Sequence, residues 1–156
     1  MAASTFTGTR AAATFPVYQG IGAGNLSVAY ADYAIPETPE VGDIYKLFKL
    51  PKGAVPLGGY FAATDIDTGT ETFDIDLGIA ANGVDSADPD FFMNGGVLTG
   101  DAIVDLPLTN AANFRPITFT TLTTLGAETT VQAVVNAVAE AGGTGRICAV
   151  VYYVVA

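Results

Sequence analysis

The stretch that most limits what this chain can become is its last one, RICAVVYYVV (Arg146–Val155). From Ile147 to Val155 every residue is apolar, and most are β-branched or aromatic, which suits a strand. A strand that is apolar at both parities has no solvent face. Both faces must be covered, as they are in a central strand. The rest of the chain has to supply the cover.

The preceding segments are of the right kind. LSVAYADYAI (Leu26–Ile35) sets Leu26, Val28, Tyr30 and Asp32 on one face and Ser27, Ala29, Ala31 and Tyr33 on the other. IYKLFKL (Ile44–Leu50) and AVPLGGYFAAT (Ala54–Thr64) flank a Pro51-Lys52-Gly53 turn, in which proline presets one torsion and glycine is free to take positive φ. Pro56 predicts an edge position or a bulge. ETFDIDLGI (Glu71–Ile79) is the cleanest strand, with Phe73, Ile75 and Leu77 pointing one way and Thr72, Asp74 and Asp76 the other. VLTGDAIVDLPL (Val97–Leu108) and FRPITFTTLTTL (Phe114–Leu125) read as further strands. AETTVQAVVNAVAEAGG (Ala127–Gly143) also carries Val131, Val134, Val135 and Val138 at helical spacing. Its Thr-Thr-Val start and its valines favour a strand over Glu128–Asn136. In the polar loop Ala80–Gly96, Asp88 can cap a short helical turn with Pro89 at its first position and Gly95 ending it.

About eight strands with frequent turns predict an all-β fold: a single antiparallel β-sandwich, jelly-roll-like, over residues 25–156. Residues 1–24 read as an extended arm, either disordered or laid on a neighbour through Phe6, Arg10 and Phe15.

Composition then excludes chemistry. Histidine is absent, which removes the usual general base and the commonest transition-metal ligand. Cys148, the one cysteine, reads as a small buried hydrophobe. No catalytic set and no cofactor are expected. Sixteen acidic residues against six basic ones give a net charge of −10, which disfavours nucleic acid and anionic membranes as partners. No apolar run approaches the length of a membrane-spanning helix. The N-terminal stretch lacks the features of a signal peptide, so assembly in a cytoplasm is expected.

The acidic residues offer the only chemical candidate. Asp-Ile-Asp occurs at Asp65–Asp67 and again at Asp74–Asp76, and Asp85, Asp88 and Asp90 follow. Asp74, Asp76, Asp85, Asp88 and Asp90 could offer oxygen ligands to Ca²⁺, although their spacing is not that of an EF-hand. The alternative is a solvated face plus a helix cap. Half of all the cations, Lys46, Lys49 and Lys52, fall within one hairpin. They either protect an edge strand from aggregation or dock an acidic partner.

Taken in order, GDIYKLFKLPKGAVPLGGYF (Gly42–Phe61), TGTETFDIDLGI (Thr68–Ile79), DPDFFMNGG (Asp88–Gly96), AETTVQAVV (Ala127–Val135) and GRICAVVYYVV (Gly145–Val155) resemble a group of small tailed-phage virion proteins. These are encoded near the major capsid protein and regarded as decoration, or cement, proteins. The family order is a Lys-Leu-Pro-x-Gly turn, a Thr-rich strand, a short acidic helix and a closing valine–tyrosine strand. The resemblance implies a non-enzymatic β-sandwich, often a homotrimer, that binds the major capsid protein and reinforces the outer surface of an icosahedral head. A tail or connector subunit is the nearest alternative, and a Ca²⁺- or carbohydrate-binding β-sandwich is the next.

Overall fold

The computed structural model describes residues 3–12, 25–70, 72–95, 100–106 and 124–155. Among these, nine strands form two sheets: β1 (Thr5–Thr7), β2 (Ser27–Ile35), β3 (Ile44–Leu50), β4 (Ala54–Ala63), β5 (Asp74–Ile79), β6 (Asp88–Met93), β7 (Ala102–Leu106), β8 (Thr129–Ala137) and β9 (Gly145–Val155). The five-stranded sheet runs β1-β3-β8-β5-β6 and the four-stranded sheet β2-β9-β4-β7. Every pairing is antiparallel except β1 with β3, which is parallel. The fold is an all-β, jelly-roll-like sandwich.

Inner faces of both sheets meet in one core. Phe73, Ile75 and Leu77 of the five-stranded sheet's side and Phe61, Ile147, Ala149 and Val151 of the other are all fully buried in it. Strand β8 bears out the choice of strand over helix for Glu128–Asn136: β-branched residues at alternating positions bury Thr129, Val131, Ala133 and Val135. The hairpin turn holds too, with Gly53 at φ 81°, and the Pro56 irregularity is a bulge between Pro56 and Gly58.

Two expectations fail. Asp88–Met93 is a strand, not a helical turn, because its apolar Phe91, Phe92 and Met93 are drawn into the core beside β5. The strand enters by crossing directly over Gly78. A Cβ there would lie 2.1 Å from the Asp88 carbonyl oxygen, so only glycine fits. The N-terminal segment is not wholly a free arm either. Thr5–Thr7 adds a strand to β3, Asp43 accepts hydrogen bonds from the Ser4 and Glu40 N–H groups at 2.8 and 2.9 Å, and a 3-10 turn follows at Thr9–Ala11. Phe6 stacks on the buried Tyr45 ring at 5.3 Å, which in turn touches Tyr33 at 5.7 Å. Deleting residues 1–24 would therefore remove part of the sheet as well as any arm. The strand expected in Phe114–Leu125 lies outside the described residues apart from its last two positions.

The Tyr45 hydroxyl is fully buried and has no hydrogen-bond partner among the described residues. Burial first, and then the Asp43 charge, push its ionisation well above the usual tyrosine range, so it stays neutral. An unsatisfied buried hydroxyl costs stability. Tyr45→Phe is expected to be neutral or stabilising by up to about 1 kcal/mol in a denaturant titration.

Candidate functional site

Strand β9 lies between β2 and β4, the central place its sequence demands. Its inward residues Ile147, Ala149, Val151 and Tyr153 are buried. Its outward residues are Arg146, Cys148, Val150, Tyr152 and Val154. Register places Val28 and Gly58 beside Tyr152, Tyr30 and Tyr60 beside Val150, and Asp32 and Ala62 beside Cys148. On β7, Asp105 stands opposite Tyr60 and Ile103 opposite Ala62. The outer face of this sheet is thus apolar along its middle.

Among the described residues it is also only partly covered. Val28 is 45% exposed, Tyr30 50% and Ile103 77%. With Leu26, just ahead of β2, they are four of the seven large apolar side chains exposed among the described residues, so exposure concentrates on this face. The other three, Val41, Val84 and Val138, are scattered over loops. Val150 is buried, yet it stands outside the core cluster between the sheets. A shallow groove beside Ile103 is floored by Ala62 and Cys148 and bounded by Asp101 and Arg146. The face that β9 presents outward is only half covered by the described residues.

Charge borders the apolar strip. Arg146 forms an exposed ion pair with Asp32 at one end. The Arg10 guanidinium stacks over the Tyr30 ring, 4.2 Å from its centroid. Asp101 accepts a hydrogen bond from the Asp65 N–H at 2.9 Å, and Asp105 is exposed. Cys148 is half-buried on the outer face rather than buried in the core, and its thiol is pushed up by burial and then by the Asp32 charge, which favours the neutral thiol.

The three lysines do not form one patch. A bulge between Lys46 and Phe48 turns Lys46 and Lys49 to the same outer face of the five-stranded sheet. Lys49 is taken up by Glu128 at 2.8 Å, and Lys52 is exposed at the turn. Lys46 is also not on an edge, since β1 pairs with β3 there. The Lys49–Glu128 pair is partly solvated, so Lys49→Gln is expected to cost about 0.2–1 kcal/mol and less at high salt, as read by thermal melts at two salt concentrations. Of the arm residues, Phe6 is spent on Tyr45, Arg10 on Tyr30, and Phe15 lies outside the described residues.

The carboxylates named for Ca²⁺ fall into three separate places: Asp85 by Asn82, Asp74 and Asp76 by Gly95, and Asp88 with Asp90. Asp85 accepts from the Asn82 side chain at 2.7 Å and from the Gly126 N–H at 2.9 Å. Asp76 accepts from the Gly95 N–H at 2.5 Å, and Asp74 lies beside Gly95. Asp88 and Asp90 act on each other: burial and then the hydrogen bond to Asp90 raise the Asp88 carboxyl above its ordinary range, and the same bond lowers Asp90. No group of three or more metal-ligating side chains converges among the described residues.

Two acidic residues matter more than the sequence reading allowed. Asp67 is buried, and six hydrogen bonds from the chain converge on its carboxylate. Asp43 anchors the N-terminal segment. Both bind nearby N–H groups, but the partners that make them anchors, Glu140 and Ala141 for Asp67 and Ser4 for Asp43, come from segments remote in sequence.

No protein-family model and no curated protein matches the chain. Among solved structures, a chain of the capsid of Ralstonia phage GP4 is 23% identical with a TM-score of 0.77, covering 97% of this chain and 98% of that one. A chain of the capsid asymmetric unit of cyanophage Pam1 is 22% identical with a TM-score of 0.58, covering 91% and 94%. The chain thus shares its whole fold, end to end, with a protein of a phage capsid.

Proposed function

We propose that this chain is a non-enzymatic structural protein of a phage virion. It decorates and stabilises the outer surface of the head as a homotrimer bound to the major capsid protein. The observation that carries this reading is the end-to-end fold likeness to a chain of the GP4 capsid. The half-covered apolar sheet and the absence of histidine agree with a protein that makes contacts rather than catalyses. A net charge of −10 favours the outer surface, since packaged DNA would repel such a chain from the interior. Many modest contacts repeated over a shell give a stable coat through multivalency.

The test is to add the purified chain to heads assembled without it. Saturable co-sedimentation and increased resistance of the heads to heat are expected. Failure to bind intact heads, together with recovery of the chain in tails or connectors, would overturn the assignment to the head surface.

A further inference from the structure

We infer that the outer face of the four-stranded sheet docks on an apolar protein surface edged by lysine or arginine, on a chain other than this one. The inference rests on the virion reading above, under which that chain is the capsid subunit.

The centre of the face supplies the apolar half of the argument. Val28, Tyr30, Tyr60, Val150, Tyr152 and Ile103 form a strip across four adjacent strands. A sheet that is apolar on both sides needs cover on both sides, and the described residues fully cover only one. Tyrosines beside small residues and a groove beside Ile103 are features of surfaces that receive partner side chains.

The border supplies the charge half. Asp105 lies on β7 on the same side as Ile103, and Asp101, just ahead of β7, borders the groove beside Ile103. Among the described residues, the two arginines of the face are engaged, Arg146 with Asp32 and Arg10 with Tyr30. A second copy is therefore a poor occupant. It would bring a net charge of −10 and few cations to answer the aspartates, and like charges facing each other oppose association. A partner edged with cations answers them.

The experiment compares the wild type with Ile103→Ser, Asp105→Lys and the double replacement Lys46→Gln/Lys52→Gln, using heads that lack the chain. Each protein is titrated at low and high NaCl, and its oligomeric state and melting temperature are measured alone. Ile103 and Asp105 are exposed, so both variants are expected to fold and associate as the wild type does. Both are expected to bind heads at least about tenfold more weakly. Wild-type binding should weaken with salt, and Asp105→Lys should show a shallower salt dependence. If either variant is unstable, Val28→Ser repeats the test from the opposite edge of the sheet.

Wild-type-like binding by these variants would overturn the inference while leaving the virion reading in place. So would a dissociated oligomer with head binding retained, which would put the face between copies. Binding lost only in the lysine pair would place the contact on the opposite sheet. No binding by the wild type itself would overturn the virion reading and this inference together.

Discussion

Tyr153→Ala is expected to lower folding stability by about 3–5 kcal/mol, and Tyr152→Ala, its neighbour, by about 1 kcal/mol or less. The two tyrosines share a strand and a side-chain type, and they differ in the face they occupy. Tyr153 is 1% exposed and packs in the core between the sheets. Truncating it removes a large buried ring and leaves a cavity that the surrounding strands cannot fill. Tyr152 points outward, next to Val28 and Gly58, and is only partly covered. Its removal should instead weaken association with heads. Denaturant unfolding of both variants beside a head-binding titration separates the two roles. Equal losses of stability would mean that the outer face is sealed by the chain itself and is not a docking surface.

Asp67→Asn is expected to lower the melting temperature at pH 7 more than Asp65→Asn, its exposed neighbour two residues earlier. The Asp67 carboxylate accepts from the Thr72 N–H at 2.8 Å and its hydroxyl at 3.1 Å, from the Phe73 and Glu140 N–H groups at 3.2 Å, and from the Gly69 and Ala141 N–H groups at 3.2 and 3.3 Å. It ties the turn before β5 to the connection between β8 and β9. An amide at this place would point two hydrogens at N–H donors and leave them unsatisfied. The Thr72 N–H foremost, with those of Ala141, Glu140 and Gly69, holds the Asp67 carboxyl well below the usual carboxylate range. A depressed folded-state pKa means that the group stabilises the fold above the unfolded value, about 3.9, and that this is lost as pH falls from there through the folded value. Melts from pH 7 downward should therefore show a wide gap between wild type and Asp67→Asn that closes below about pH 4. A gap independent of pH would show that the ionised carboxylate is not what holds the turn.

Strands were legible where period and residue type agreed. Phe73, Ile75 and Leu77 alternate in the sequence with polar residues and are fully buried, and the Thr-Thr-Val start outweighs the helical valine spacing in β8. Asp88–Met93 misled because Asp-Pro followed by an apolar triplet fits a capped helical turn as well as an entering strand. Only the approach of β6 over Gly78 decides between them. The arm misled because three residues, Thr5–Thr7, have too little pattern to announce a strand whose partner lies in β3. The lysines were visible as a cluster, but the bulge at Phe48 and the Glu128 partner come from register and from a residue far along the chain. The docking face was half legible. The sequence of β9 requires cover on both sides, and Val28 and Tyr30 share one face of β2 with Leu26 just ahead of it. Which side remained open depended on how the two sheets stack.

The most direct test of the account is a reconstruction by electron cryo-microscopy of the virion that carries this chain. The account predicts density for the sandwich on the outside of the shell, with Tyr30, Ile103 and Tyr152 turned against a capsid subunit. The chain located in the tail or on the interior of the head would contradict it, and so would a bound chain whose four-stranded sheet faces solvent.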